Sequence, residues 1–249
     1  VNNCLVVIPT YNEIENIEAI IRKVFSLPHD FDLLIVDDGS PDGTGKAVKQ
    51  LKESEFSNRL FLLERAGKLG LGSAYIAGFK WALERGYEYL FEMDADFSHN
   101  PDDLVRLYEA CSTHGSDVAI GSRYSSGVNV VNWPIGRVLM SYFAGHYVRF
   151  ITGMPVMDPT AGFVCYKAKV LKALELDSIR FIGYAFQIEM KFNSWKRGFK
   201  ITEVPIIFTD RTKGQSKMSA NIFKEAVFGV IRLKIDSFFK NYHSSESNS

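Results

Sequence analysis

The sequence predicts an α/β fold, a mostly parallel sheet flanked by helices. Three observations predict it. Apolar runs of strand length alternate with segments of helical period through the first half of the chain. Those runs are apolar at consecutive positions, as strands covered on both faces are. The unusual polar residues gather just beyond the runs, where open α/β sheets bind ligands.

The strand runs are Cys4 to Pro9, Leu33 to Val36, Leu60 to Leu63, Tyr89 to Met93 and Val118 to Ile120. Between them, Ile14 to Phe25 and Ser73 to Arg85 carry helical spacing. Strands joined by helical crossovers lie parallel. After about residue 125 the alternation breaks down into a loop containing Trp and Gly, a long apolar helix and the turn-rich stretch Asp158 to Phe163. A late helix from about Asn221 to Lys240 mixes Phe, Ile and Val with Lys and Arg. It reads either as a helix packed on the core or as one lying in a membrane interface.

At 249 residues the chain suits one domain with a sizeable core. We assign residues 1–240 to it, in the halves 1–125 and 126–240, with 241–249 as a disordered tail. Lys and Arg total 29 and Asp and Glu total 29, so there is no basic field for nucleic acid. Cys4, Cys111 and Cys165 are far apart in apolar surroundings, which reads as buried thiols in a reducing compartment. No apolar leader precedes the first strand, and the chain opens without Met. His146 and Arg149 interrupt the best candidate membrane span, Val138 to Met157, so no transmembrane helix is expected.

Three loops carry the candidate chemistry: Pro9-Thr10-Tyr11-Asn12-Glu13, Asp37-Asp38-Gly39-Ser40 and Asp94-Ala95-Asp96. If the fourth strand persists, Asp94 and Asp96 leave one face at i and i+2. Two carboxylates with no basic neighbour repel unless a cation lies between them, and hard oxygens with open positions suit Mg2+ or Mn2+ shared with a substrate phosphate. A turn or helix cap would also use Asp, but Asn100, followed by Pro101, is the better cap here. Asp37 and Asp38 place one side chain on each side of their strand, one to face a nucleotide and one to brace the loop. Tyr11 and Glu13 offer a ring and a carboxylate to a base. Gly67-Lys68-Leu69-Gly70-Leu71-Gly72 can cradle an anion through backbone amides but lacks the ending of a P-loop. Arg123, Arg137 and the run Arg211 to Lys217 gather cations; any one alone is as readily a surface charge. Arg123 directly follows an apolar strand on the rim that holds the aspartates. The Gly-containing loop from Arg211 to Lys217 can close over a phosphate.

Taken together, Pro9 to Glu13, Val36 to Thr44, Lys68 to Tyr75, Met93 to His99, Gly121 to Tyr124 and Arg211 to Lys217 resemble, in order and spacing, the polyprenol (dolichol) phosphate mannosyltransferases, inverting GT-A glycosyltransferases of family 2. The resemblance covers about residues 4 to 235. It implies a GT-A fold that transfers mannose from GDP-mannose to a polyprenyl phosphate. By position, it implies that Pro9, Tyr11, Glu13, Val36 and Asp38 hold guanosine. Asp94, Ala95 and Asp96 take the donor phosphates and Mg2+ or Mn2+, and Arg123, Arg137, Arg211 and Lys217 hold phosphates of donor and acceptor. Asp96 is expected to ligate metal directly and Asp94 to orient the donor. Some relatives have Gln where this chain has Ser98, so Ser98 is expected to reach a metal through water. Ala161 stands where Ser is frequent, which removes a hydroxyl. Some members continue into C-terminal transmembrane helices, and residues 1–249 contain none by this reading. The expected location is peripheral, at the cytoplasmic face of a membrane. Alternatives are a UDP-sugar donor with the same kind of lipid, a nucleotidyltransferase, and a non-catalytic subunit that binds sugar nucleotide or lipid. The sequence is silent on oligomeric state.

Overall fold

Strands β1 (Cys4–Thr10) and β2 (Asp32–Asp37) are apolar at successive positions because helices cover both of their faces. The computed structural model describes residues 2–181, 183–210, 220–240 and 242. Alternation along each strand sorts the side chains: Leu5, Val7, Leu34 and Val36 enter one core cluster, and Val6, Ile8, Leu33 and Ile35 enter the other. The second cluster is closed by Ile17, Ile20 and Val24 of α1 (Ile17–Phe25), Val48 of α2 (Thr44–Ser54) and Leu104 of α4 (Asp103–Ser112). The first is closed by Tyr75 and Phe79 of α3 (Leu71–Glu84) and Phe186 of α7 (Tyr184–Lys196). Full burial of each such large apolar side chain stabilises the fold by roughly 1.5–3 kcal/mol. Helix α3 reaches β1 closely only because residue 78 is glycine, since a Cβ there would lie 2.5 Å from Val7 Cγ1.

Among the described residues, seven strands form one sheet in the order β3-β2-β1-β4-β7-β5-β8. Here β3 is Leu60–Glu64, β4 Tyr89–Glu92, β5 Val118–Ser122, β7 Val164–Lys167 and β8 Ile201–Pro205. Strands β1, β2, β3 and β4 are parallel neighbours, as expected. Strand β7 runs antiparallel between β4 and β5, so the sheet is mixed at that point. Because β7 reverses direction twice over, β5 runs the same way as β4. Register places Thr10 beside Asp37 and Val7 beside Glu92, so the ends of β1, β2, β4 and β5 meet on one rim. Strands β7 and β8 come from the second half of the chain and complete the sheet of the first half.

Helix α1 starts at Ile17 rather than Ile14, after Asn16 and Ile17 both donate to the Glu13 carbonyl. Strand β4 stops at Glu92, so Asp94 and Asp96 stand in a loop and not at i and i+2 of a strand. Asn100 caps as expected in chemistry: its Oδ1 accepts from the Asp102 amide at 3.1 Å, although regular helix begins only at Asp103.

The second half adds β6 (Val130–Val131), which pairs with β9 (Phe208–Thr209), and the long helix α5 (Ile135–Thr152). After β7 come α6 (Ala168–Ala173) and α7, and the last helix among the described residues is α8 (Ala220–Asp236). Helices α5 and α8 are tied by Tyr147 Oη donating to the Val227 carbonyl (2.8 Å) and Lys234 Nζ to that of Thr152 (3.2 Å). No described helix is long and apolar enough to cross a membrane. The three cysteines are buried thiols, and burial pushes Cys4 up to about 12. Tyr242 is buried against Lys196 and Arg197, so that one position of the span read as a tail is packed; the rest of 241–249 lies outside the described residues.

Candidate active site

The first wall of the site is the junction of the loops after β1, β2 and β3. Asp37 is the bracing carboxylate: Oδ1 accepts from Thr10 Oγ1 (2.9 Å) and Ser40 Oγ (2.6 Å), and Oδ2 accepts from the Ser40 amide (3.0 Å). Ser40 Oγ in turn accepts from the amide of Asn12, whose left-handed backbone turns the loop, while Thr44 Oγ1 accepts from that of Glu13. Tyr11 and Glu13 thereby stand at the end of β1 beside the loop after β2, and the strand order reverses direction next to them, between β1 and β4. Lys68 stands over the Tyr11 ring, 5.2 Å from its centroid. Asp38 reaches the rim as half of a buried ion pair, its two oxygens taking Arg65 Nε (2.6 Å) and Nη2 (2.8 Å), and Arg65 Nη1 donates on to Ser73.

The second wall is the loop from Asp94 to His99. Asp96 is buried and its Oδ1 accepts from the Ser98 amide at 3.0 Å, whereas the Asp94 side chain is 40% exposed. Phe97 takes a positive φ of 60°, which turns the chain sharply between them. His99 is buried and stacked on Phe163 at 4.9 Å. Its Nδ1 accepts from the Asp94 amide at 3.3 Å, so the ring carries its hydrogen on Nε2. Burial pulls the His99 pKa down to about 4, with the Asp96 charge pulling upward and Arg123 pushing down. The ring is therefore a neutral brace at physiological pH.

These residues fit a divalent cation. Among the described residues no three His, Cys, Asp or Glu converge as a closed metal cage. The donor set is two carboxylates from one tight loop plus Ser98 Oγ, which is buried with no hydrogen-bond partner. An incomplete set of hard oxygens is what an ion shared with phosphates and water requires.

The third wall is cationic and aromatic. Asp158 is fully buried, and its carboxylate takes the Arg123 amide (2.9 Å), Nε (2.7 Å) and Nη2 (2.6 Å); Nη2 also donates to Thr160 Oγ1 (2.8 Å). Burial pushes the Asp158 pKa up, but the Arg123 charge and hydrogen bonds bring it below the usual carboxylate value. Arg137 donates to Asp210 at 2.9 Å and lies 4.1 Å over the Trp133 ring, whose centroid is 5.6 Å from the Arg123 guanidinium. A cavity of about 500 Å3 opens here. Asp94, Ser98, Arg123 and Arg137 line its polar end, and Met140, Phe143 and Ala144 of α5, Ile188 of α7 and Val230 of α8 line its apolar length. A wider cleft of about 850 Å3 lies on the other flank of Asp96, against Asn100, Arg106 and Thr209.

The sheet thus brings Asp94, Ser98, Arg123 and Arg137 to one cavity and Asp96 to the other, while Tyr11, Glu13 and Asp38 follow the ends of β1 and β2. Pro9 is half-buried at the end of β1, and Ala95 is buried inside its loop. Val36 is fully buried and its side chain belongs to the core beside Gly78, which leaves only its backbone for a ligand. Arg211 and Lys217 lie outside the described residues. Sequence reasoning missed Arg65, Asp158, Gln187 and the bracing role of His99. Arg65 directly follows β3, and the rim rule applied to that strand finds it; nothing in the sequence flags Gln187.

Rim, crevice and acidic loop define a nucleotide-dependent transferase of the GT-A type. The profile of glycosyl transferase family 2 matches residues 5–174, and the chain belongs to that family. It is 46% identical over 226 residues to the polyprenol monophosphomannose synthase of Mycolicibacterium smegmatis, covering 91% of this chain and 84% of that one. It is also 46% identical over 228 residues to the undecaprenyl-phosphate mannosyltransferase of Micrococcus luteus, covering 92% of each. Among solved structures, glucosyl-3-phosphoglycerate synthase from Mycobacterium tuberculosis, in complex with Mn2+, UDP and glucosyl-3-phosphoglycerate, superposes with a TM-score of 0.65 at 18% identity, covering 94% of this chain and 78% of that one. The mannosyltransferase PcManGT from Pyrobaculum calidifontis, in complex with GDP-Man and Mn2+, gives 0.59 at 16% identity, covering 93% and 69%. These likenesses support the fold. The protein is a family 2 glycosyltransferase.

Proposed function

We propose that the enzyme transfers mannose from GDP-mannose to a polyprenyl monophosphate with inversion, forming a β-linked polyprenyl phosphate mannose. The observation that carries the acceptor is the cavity: cations at one end and an apolar length between α5 and α8 match the two ends of a lipid phosphate. Phe143 of α5 lines it and is exposed, and Phe150 of α5, Phe228 of α8 and Phe238 and Phe239 after α8 are exposed as well. This apolar face supports peripheral contact with a membrane, from which the acceptor would enter. The names of the two 46% identical relatives agree with mannose as the sugar and a polyprenyl phosphate as the acceptor.

The acceptor explains why the site needs no dedicated base. A phosphate monoester, with a second pKa near ~6, is largely dianionic at pH 7 and is already a nucleophile. Its oxygen attacks the anomeric carbon as the bond from that carbon to the diphosphate breaks; GDP departs with the bonding electrons and no proton has to move. Arg123 and Arg137 offset the repulsion between two anionic substrates, and Asp94 orients the donor. The Tyr11, Glu13 and Asp38–Arg65 wall would take the nucleoside. Asp94, Asp96 and Ser98 would hold Mg2+ or Mn2+, which when bound neutralises charge developing on the leaving diphosphate. The PcManGT complex supports the GDP-mannose and Mn2+ reading by analogy of fold.

A UDP-sugar donor is the second reading, since the superposed synthase carries UDP. Calorimetric titration with GDP, UDP and CMP separates the two, and preferential UDP binding would sink the mannose assignment. For the reaction itself, Asp96→Ala is expected to abolish transfer from GDP-mannose to a short polyprenyl phosphate, as is EDTA until Mg2+ or Mn2+ is restored. Near-normal turnover in either case removes the metal role.

A further inference from the structure

Lysine is almost never fully buried without a partner, because removing its charge from water costs several kcal/mol. Lys191 of α7 has no exposed surface. Its ammonium has three acceptors for three hydrogens: the Ala161 carbonyl at 2.6 Å, Gln187 Oε1 at 3.0 Å and the Gln187 carbonyl at 3.3 Å. Burial pulls its pKa down to about 8, against the upward pull of Glu92 and Asp158.

The partners of Lys191 belong to opposite sides of the site. Gln187 turns its Oε1 to the lysine and its Nε2 to Glu92 Oε2 at 2.6 Å. Glu92 ends β4, two residues before Asp94, and is fully buried. Ala161 belongs to the loop in which Asp158 grips Arg123. Glu203 of β8 fixes the start of that loop by accepting from the amides of Met157 (2.7 Å) and Asp158 (2.9 Å). Lys191 fixes its far end. One ammonium therefore ties the strand that presents the acidic loop to the loop that presents the acceptor-side arginine, and Gln187 itself lines the cavity between them.

We infer that Lys191 is a positioning residue that sets the separation between Asp94 and Arg123, acting through Gln187–Glu92 on one side and the Ala161 carbonyl on the other. The inference rests on the acceptor-side reading of Arg123. A buried charge network held only for stability is a poor solution, because replacing such a network as a whole by well-packed apolar side chains is often neutral or stabilising. Misplacement of reacting groups by about 1 Å costs on the order of 100-fold in rate.

The test is Lys191→Met, measured in two ways. In hydrogen exchange, amides of residues 92–99 and 157–163 should both exchange at least tenfold faster than in the wild type, while β1 and β2 keep their protection. In steady-state transfer, kcat per folded molecule should fall 10- to 100-fold with unchanged GDP affinity, and the melting temperature should fall as well, because Met leaves Glu92, Gln187 and the Ala161 carbonyl buried without the ammonium. A purely structural lysine predicts the same lower melting temperature with unchanged kcat per folded molecule. Wild-type protection of both segments overturns the inference whatever the activity. Failure of the wild type to transfer to any polyprenyl phosphate refutes the acceptor reading alone, and the exchange result still decides the role of Lys191. Should Lys191→Met not fold, Lys191→Arg serves, since it keeps the charge but replaces one nitrogen with three hydrogens by a larger planar fork, no nitrogen of which can serve the Ala161 carbonyl and both Gln187 acceptors. Wild-type exchange and kcat in that variant overturn the inference equally.

Discussion

Replacing Asp158 by Ala isolates the element that places Arg123. In the folded protein the two side chains are 1% and 10% exposed, two hydrogen bonds of 2.6 and 2.7 Å join them, and the Arg123 amide adds a third to the carboxylate at 2.9 Å. The substitution leaves the guanidinium buried against Thr160 and the rings of Tyr124, Trp133 and Phe208, and leaves the Arg123 amide without its acceptor. Removing one partner of a buried pair costs roughly 3–5 kcal/mol, because the other charge stays out of water. For a chain of this size about 1 kcal/mol moves the melting temperature by ~2–4 °C, so the expected fall is roughly 6–20 °C. Asp158→Asn keeps an acceptor oxygen but loses the charge and should fall about half as far. Thermal unfolding followed by circular dichroism at low and high salt is the assay. A buried pair gives the same difference at both salts, whereas a surface pair is screened. A melting temperature for Asp158→Ala within about 3 °C of the wild type would refute the reasoning. In kinetics the same variant should raise the acceptor KM more than the donor KM.

Other predictions follow from packing, burial and surface chemistry. Gly78→Ala adds a Cβ 2.5 Å from Val7 Cγ1; overpacking by ~1–3 kcal/mol outweighs about 1 kcal/mol of helix propensity, and a melting temperature above the wild type would contradict the packing of α3 on β1. His99 has its pKa lowered from 6.5 to about 4, so the unfolded chain binds the proton more tightly than the folded one. Its contribution to stability is complete above pH 6.5 and is lost as pH falls toward 4. Between pH 7.5 and 5.5 the metal-free protein should lose roughly 1 kcal/mol more than His99→Gln, measured by denaturant unfolding at each pH. Equal losses would mean that His99 titrates normally. Phe238→Ser with Phe239→Ser removes two largely exposed rings beyond α8 and should reduce partition onto anionic vesicles on the order of tenfold or more in a flotation assay. Unchanged flotation would move the membrane contact elsewhere.

The half of the fold with both faces covered was legible because burial on both sides leaves continuous apolar runs, and the rim followed from the ends of those runs. The reversed strand Val164–Lys167 was not legible: four residues carry too little periodicity, and its direction depends on partners far away in the chain. Asp94, Asp96 and Arg123 stood out as charges at strand ends. Their supports did not, because sequence patterning equates polar with solvent. Helix α7 breaks that equation: Gln187, Lys191, Asn193 and Ser194 are all buried, so its polar positions look like a wet face and are a packed one. Asp38 is expected from the sequence to hold guanosine, with no sign of an ion pair, because its partner Arg65 lies on another loop, and pairing of this kind is visible only when the strands are set side by side.

The most direct test of the account is transfer of radiolabelled mannose from GDP-mannose to a short polyprenyl phosphate, with the anomeric configuration of the lipid product read by NMR. The account predicts metal-dependent formation of one β-linked mannosyl phospholipid and loss of that product in Asp96→Ala. An α-linked product, or lipid labelling from a UDP-sugar with none from GDP-mannose, would contradict it.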